Sequence, residues 1–254
     1  MLNTILNGEK TENTPLLIVH GLYGSGRNWG VIAKRMSDSR QVVSVDMRNH
    51  GHSPWHDSHS YHDMANDLTE VIESYGQPMD IMGHSMGGKA AMVLALTRPD
   101  LLRKLVVADI APVGYAHTQA PLAQAMMSLD LTDLNTRGEA DKRFSQVVDE
   151  PGVRAFLLQS LDLKSDPARW RLNLNVLEAE MDKIIGFPKV AGQFQGSTLF
   201  LSGADSDYVK IEYRPEIKTH FPAARFAKIP GAGHWLHADK PREFEAAMRV
   251  FLDA

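Results

Sequence analysis

The chain has 254 residues, of which 43% are hydrophobic and 23% charged, as is typical of a soluble globular protein with one full core. Its net charge of −4 and its lack of cysteine exclude a basic surface for nucleic acid, disulfides and thiolate metal sites. The first residues, MLNTILNGEK, have no basic segment and only a short apolar run, and no later stretch has the length of a membrane span. We therefore expect a cytoplasmic protein without a membrane partner.

Six short apolar segments predict the strands of a parallel sheet. They are rich in β-branched residues and bounded by Gly, Asp or Pro, as expected for strands buried on both faces. In chain order they are Leu16–Gly21, Val42–Asp46, Asp80–Ser85, Lys104–Asp109, Thr198–Gly203 and Arg225–Gly231. Between them, Tyr61–Gly76 and Met86–Asp100 have apolar residues at helical spacing, and Pro99 ends the second helix. This alternation predicts an α/β fold with a doubly wound, mostly parallel sheet.

The alternation is interrupted between about Ala111 and Phe187. This interval contains no convincing strand. Its apolar segments, PLAQAMMSL, ADKRFSQVV, GVRAFLLQSL and WRLNLNVLEAEMDKII, all have the pattern of helices. We expect a helical insertion at residues 111–187, and a core formed by residues 1–110 and 188–254.

The segment GHSMGG, Gly83–Gly88, follows the third of these strands and leads directly into a helix. Ligands of open α/β sheets bind beyond the carboxyl ends of the strands. The segment has the form G-x-S-x-G between a strand and a helix, which is the pattern of a nucleophile elbow. Because Gly83 and Gly87 leave room for a tight turn, we expect Ser85 to project from the sheet as a nucleophile. The alternative is a glycine-rich turn with an incidental serine.

A serine nucleophile needs a base, and His234 in GAGHW is the best candidate among eleven histidines. It lies on a loop after the last strand, between small residues, and it follows the serine in the chain order Ser, Asp, His. His237 is a weaker candidate because it lies just before the C-terminal helix. The alternative for His234 is a surface or capping histidine.

The loop HGLYGSG after the first strand predicts part of an oxyanion hole. The backbone N–H of Leu22 would be one donor, and the N–H of Met86, which follows the nucleophile, would be the other. The segment GSGRNWG, with Asp46 at the end of the next strand, also resembles a dinucleotide-binding fingerprint. Its glycines start several residues beyond the strand and have GxGxxxG rather than GxGxxG spacing, so we expect no nicotinamide cofactor.

Five histidines lie in or just after the loop that follows the second strand: His50, His52, His56, His59 and His62. They follow no recognised ligand spacing, and no cysteine accompanies them. We therefore favour a polar loop in which Asp46 and Arg48 tie the backbone together over a zinc cluster, and we predict no metal site.

The segments HGLYGS, DMRNHGHSP, GHSMGGKAAM, DIAPV and GAGHWLHADKP, in this order, resemble the α/β-hydrolase superfamily and, more narrowly, the YbfF-type bacterial esterases. The resemblance implies an eight-stranded core, reduced here at the N-terminus, with a helical cap inserted after the sixth strand of that fold. It implies a hydrolase of carboxylic esters or acyl thioesters that uses no cofactor. It also assigns Ser85 and His234 as nucleophile and base, and the amides of Leu22 and Met86 as oxyanion donors.

The acid partner of His234 is less uniform in this family. Many members have an aspartate three residues after the glycine that closes the seventh strand, and here that position is Ser206, between Asp205 and Asp207. Other members place the acid where this chain has Asp109. A hydroxyl only orients an imidazole, whereas a carboxylate also stabilises the imidazolium. We therefore predict Asp109 as the main acid and Ser206 as an auxiliary partner, with Asp205 as runner-up and Asp207 as an exposed or helix-capping residue.

The predicted reaction is attack of Ser85 on a small or short-acyl ester, followed by hydrolysis of the acyl-serine by water that His234 activates. Another reaction on the same scaffold, such as C–C bond hydrolysis or a cofactor-free lyase step, is the alternative, because a fold does not determine a reaction. A silent binding protein is a third hypothesis, which the intact elbow and histidine disfavour. Candidates for the acyl pocket, each of which has core packing as its alternative, are Tyr23, Met86, Met126, Met127, Phe156, Trp170 and Trp235.

Overall fold

The computed structural model describes residues 1–254, and its centre is a seven-stranded sheet in the order β1-β3-β2-β4-β5-β8-β9. Only β1 runs antiparallel to its neighbour. The strands are β1 (Thr4–Asn7), β2 (Leu16–Val19), β3 (Val42–Val45), β4 (Met79–His84), β5 (Leu102–Ala108), the short β6 (Leu161–Asp162) and β7 (Arg169–Trp170), β8 (Ser197–Gly203) and β9 (Ala224–Ile229). All six predicted strands are present, and their ends differ by at most two residues. The strand β1 was missed because its residues are exposed or half-buried at the sheet edge, without a buried run.

Helices cover both faces of the sheet. They are α1 (Gly30–Met36), α2 (Tyr61–Tyr75), α3 (Met86–Thr97), α4 (Ala120–Ser128), α5 (Arg137–Phe144), α6 (Pro151–Leu157), α7 (Leu174–Ala179), α8 (Met181–Ile185), α9 (Arg214–His220), α10 (Leu236–Asp239) and α11 (Pro241–Asp253). Successive side chains of a strand point to opposite faces. Accordingly, Leu17 and Val19 pack into a core with α2, α3 and the inserted helices, whereas Leu16 and Ile18 pack into a second core with α1 and α11. None of these helices combines the length and the hydropathy that a membrane-spanning segment needs.

The inserted segment after β5 contains α4 to α8 and the hairpin β6–β7. The expectation that it contains no strand is wrong, and so is the expectation that WRLNLNVLEAEMDKII forms one helix. Its first residue, Trp170, pairs with Leu161 in the hairpin, and Leu172 bridges to His50 of the core. Tertiary pairing therefore overrides the local helical period there. The division into a core of residues 1–110 and 188–254 and a cap of residues 111–187 stays a prediction.

Candidate active site

Ser85 lies on a strained turn between β4 and α3, with φ of 52° and ψ of −121°. A positive φ is costly for a residue with a side chain, so the surroundings must hold it. Glycine is required on both sides. A Cβ at Gly83 would lie 2.3 Å from the carbonyl oxygen of Gly87, and one at Gly87 would lie 2.4 Å from that of His20. The backbone therefore has the geometry of a nucleophile elbow.

The structure brings Ser85, His234 and Asp109 together from three different strand ends. His234 Nε2 lies 3.1 Å from Ser85 Oγ, and His234 Nδ1 lies 2.8 Å from Asp109 Oδ2. His84 donates from Nε2 to the carbonyl oxygen of His234 at 2.8 Å, which fixes the loop that carries the imidazole. The ring of Tyr208 stacks on His234 with the ring centroids 4.0 Å apart. In this hydrogen-bonded chain the imidazole can take the proton of the serine hydroxyl while the carboxylate stabilises the imidazolium.

Asp109 is fully buried, and its carboxylate has several donors. The backbone N–H of Gly203 donates to Oδ1 at 3.1 Å, while His234 and the hydroxyl of Ser206 both bond Oδ2. A buried carboxylate needs such partners to offset its lost hydration. Asp205 is exposed, and its carboxylate bonds neither His234 nor Ser206. The geometry thus places Asp109 beside the histidine and Ser206 beside Asp109.

Asp207 and His237, two further candidates from the sequence, make no side-chain hydrogen bond to Ser85 or His234. Asp207 is exposed, which was one of its two predicted roles, and it caps no helix, because the next helix begins at Ile211 with Lys210 at the N-cap position. His237 stacks on Trp29 with the ring centroids 3.9 Å apart, and burial lowers its pKa to about 3.

Leu22 and Met86 line the same cavity as Ser85, and Met86 directly follows that serine. Leu22 N–H has no acceptor within the protein, and Met86 is the first residue of α3, whose N–H has no partner within the helix. The loop before Leu22 approaches the elbow closely, since a Cβ at Gly21 would lie 3.2 Å from Ser85 Cβ. This follows from the pairing of β2 with β4.

The loop after β3 is a packed polar network. The Asp46 carboxylate accepts from the backbone N–H groups of Gly26 and His52, at 2.8 and 2.9 Å, and from the side chain of Asn3. These bonds leave Asp46 directed into the fold and not towards a ribose, and GRNW within GSGRNWG forms a short 3₁₀ helix. Arg48 pairs instead with Asp67 of α2, at 2.6 Å. No group of three or more His, Cys, Asp or Glu side chains has a geometry for a metal ion.

A cavity of about 310 Å³ lies between the elbow and the inserted helices, with Ser85 and His234 in its wall. Most of its lining residues are hydrophobic. Of the predicted pocket residues, Tyr23, Met86, Phe156 and Trp235 line it. Met126, Met127 and Trp170 do not line it.

These three residues are instead placed by packing inside the insertion or by exposure to solvent. Trp170 donates its indole N–H to the carbonyl oxygen of Met126 at 2.8 Å and packs against Phe144, whereas Met127 is largely exposed. Sequence reasoning also missed Tyr208, Tyr115 and Lys89, which line the cavity. Lys89 lies one helical turn after Ser85, and this spacing could have indicated it.

The fold and the site define an α/β hydrolase, and the chain belongs to that family: the family model described as the alpha/beta hydrolase fold matches residues 14–241. The chain is 42% identical over 258 residues to the sn-1-specific diacylglycerol lipase ABHD11 of Mus musculus, covering 98% of this chain and 83% of that protein. It is 38% identical over 246 residues to the esterase YbfF of Escherichia coli K12, covering 95% and 94%. A solved structure of a marine microorganism esterase has a TM-score of 0.93 and 40% identity, and each chain is covered to 98%. The predicted family and fold class are confirmed.

Proposed function

We propose that this chain is a serine hydrolase that cleaves carboxylic esters or acyl thioesters through an acyl-Ser85 intermediate. The hydrogen-bonded chain from Ser85 through His234 to Asp109, at the wall of an apolar cavity, carries the proposal. The relatives named above are esterases and a lipase, which supports an ester-bond hydrolase over C–C bond hydrolysis or a lyase step. The substrate is a small-molecule ester, and the reaction uses no cofactor.

In the proposed mechanism, His234 Nε2 removes the proton from Ser85 Oγ as that oxygen attacks the ester carbonyl carbon. The carbonyl oxygen becomes an oxyanion, which accepts hydrogen bonds from the amides of Leu22 and Met86. The imidazolium returns its proton to the leaving alcohol or thiol, and an acyl-serine remains. Water, deprotonated by His234, then attacks the acyl-serine and releases the acid.

Asp109 holds the tautomer of His234 that has its proton on Nδ1, and its negative charge stabilises the imidazolium as it forms. Ser206 donates its hydroxyl to Asp109 Oδ2, so it acts on His234 through the carboxylate. This arrangement supports Asp109 as the charged acid and Ser206 as its auxiliary, orienting partner.

The cavity favours a small or short-acyl substrate. Its volume of about 310 Å³ is at the lower end of ligand pockets, which run from about 300 to 1,000 Å³. Val153 and Phe156 of α6 and Leu122 of α4 contribute apolar side chains to its lining.

The test is hydrolysis of p-nitrophenyl esters and acyl-CoA thioesters of graded chain length by the wild type and by Ser85→Ala. We expect the variant to lose activity by about 10⁶ in kcat while it keeps its melting temperature. Ser74→Ala is the matched control, since Ser74 Oγ bonds only a carbonyl of its own helix, that of Val71. A fluorophosphonate should label the wild type at Ser85. A Ser85→Ala enzyme with a tenth of the wild-type activity would show that Ser85 is not the nucleophile.

A further inference from the structure

Tyr23 is the residue that joins the proposed oxyanion donor, Leu22, to the inserted segment. It is 3% exposed and has a φ of 62°, in the left-handed region. A tyrosine stays in this region only when its surroundings hold it. Its backbone N–H donates to His50 Nε2 at 3.1 Å, its carbonyl oxygen accepts from Ser160 Oγ at 2.9 Å, and its hydroxyl donates to the carbonyl oxygen of Gln119 at 2.9 Å.

Two of these three partners, Ser160 and Gln119, belong to the inserted segment. The third, His50, lies on a core loop that contacts the same segment. Arg171 N–H donates to the Ser160 carbonyl oxygen at 2.8 Å, across the β6–β7 hairpin. Gly51 N–H donates to the Arg171 carbonyl oxygen at 2.8 Å, beside the bridge between His50 and Leu172. The hairpin therefore contacts Tyr23 directly through Ser160 and indirectly through the loop that carries His50.

The hydrogen bond from Tyr23 N–H to His50 depends on the protonation state of the imidazole. Its Nδ1 donates to the Arg48 carbonyl oxygen at 2.8 Å, which leaves Nε2 free to accept from Tyr23 N–H. Burial lowers the pKa of His50 well below its usual value, so the ring stays neutral and Nε2 stays an acceptor. Both peptide groups of Tyr23 are thus fixed, and the first of them, Leu22–Tyr23, directly follows the peptide that carries the Leu22 N–H.

We propose that Ser160 is a positioning residue for the Leu22 oxyanion donor, so that seating of the inserted segment on the core sets the geometry of the oxyanion hole. The inference rests on the proposed function, because it matters only if an oxyanion forms beside Ser85. Removing the Ser160 hydroxyl leaves the Tyr23–Gly24 peptide held only by the Gly24 N–H, which donates to the Gly21 carbonyl oxygen at 3.1 Å. We expect Tyr23 then to shift from its left-handed conformation, and the Leu22 N–H, in the peptide before Leu22–Tyr23, to shift with it relative to the oxyanion.

The test compares Ser160→Ala with Ser165→Ala as a matched control. Ser165 lies in the same hairpin, but its Oγ bonds only the Asp162 carbonyl oxygen, at 3.0 Å, inside the insertion. Two quantities are measured: kcat and KM for a short p-nitrophenyl ester, and the inhibition constant of a short trifluoromethyl ketone. The ketone forms a tetrahedral oxyanion adduct with the serine and therefore reports on the oxyanion hole directly.

For Ser160→Ala we expect kcat to fall about 10-fold, less than the 10² to 10³ known for complete loss of one oxyanion donor, with KM nearly unchanged. The inhibition constant of the ketone should rise by the same factor. Ser165→Ala should resemble the wild type in both. Tyr23→Phe, which removes only the contact with Gln119, should show a smaller loss of the same kind, and Ser160→Thr, which keeps a hydroxyl, should recover activity.

The inference is overturned if Ser160→Ala and Ser165→Ala have equal kcat, or if the loss appears in KM while the ketone binds as it does to the wild type. Either result would mean that Ser160 only stabilises the insertion. Failure of the proposed function looks different, since then the wild type would hydrolyse no ester or Ser85→Ala would remain active. Melting temperatures separate both outcomes from unfolding of a variant.

Discussion

Four buried histidines predict that the protein loses stability as the pH falls below about 6.5. His20, His50, His59 and His84 are each 4% exposed or less. Burial lowers the pKa of all four, and that of His59 falls to about 3. The rings are also close to one another: the centroids of His20 and His50 are 5.1 Å apart, and those of His50 and His59 are 5.4 Å apart. One protonated ring therefore disfavours protonation of the next.

The direction in which the unfolding free energy changes with pH depends on which state, folded or unfolded, binds more protons. In the unfolded chain a histidine takes up a proton near pH 6.5, whereas these four stay neutral in the fold to a lower pH. Stability is therefore complete above about pH 6.5 and is lost as the pH falls towards the lowered pKa values. Between about pH 6.5 and its lowered pKa, such a group contributes about 1.4 kcal/mol per pH unit, so His59, whose pKa falls to about 3, contributes over this whole interval. Each of the other three histidines adds to this slope down to its own lowered pKa.

The assay is urea unfolding at a series of pH values from 8 to 5, for the wild type, His59→Gln and His56→Gln. We expect the slope of the unfolding free energy against pH, below about pH 6, to decrease by about 1.4 kcal/mol per unit in His59→Gln. His56 is exposed in the fold, so removing it should leave the slope unchanged. A wild-type stability that stays constant from pH 7.5 to 5.5 would refute the reasoning, as would equal slopes in His59→Gln and the wild type.

Three further predictions concern the site and the fold. Asp109→Asn should lower kcat for a p-nitrophenyl ester by about 10⁴, as such a change does in a serine-protease triad. Ser206→Ala should cause a smaller loss and Asp205→Asn little loss. A near-normal Asp109→Asn enzyme beside an inactive Asp205→Asn enzyme would reverse the assignment. Gly87→Ala should fold poorly or melt at a clearly lower temperature, because its Cβ would lie 2.4 Å from the His20 carbonyl oxygen, whereas Gly138→Ala, with no atom within 4 Å of its Cβ, should melt like the wild type. Across an ester series the specificity constant should peak at short acyl chains, and a steady rise through long chains with interfacial activation would contradict this.

Local sequence patterns were enough to determine the fold class, six of the seven strands of the main sheet and the elbow. Each of these depends on neighbouring residues: a run of buried β-branched side chains, a helical period, or glycines at fixed offsets from Ser85. Where the outcome depends on a distant partner, the same patterns failed. The half-buried edge strand Thr4–Asn7 forms by pairing with Val42–Val45, and the strand Arg169–Trp170 forms by pairing with Leu161–Asp162.

The choice of a partner for His234 also depends on distant residues. The sequence presents Asp109, Asp205 and Ser206 as candidates, and their order along the chain does not tell which side chain lies beside the imidazole. The parallel pairing of β5 with β8 brings the end of one strand to the end of the other, so that Asp109 N–H donates to the Leu201 carbonyl oxygen at 2.9 Å. Gly203 and Ser206 then both donate to the Asp109 carboxylate. Residue types and local turns are thus determined by the sequence within a few positions, whereas the distance between side chains 97 residues apart is decided only by how the strands pair.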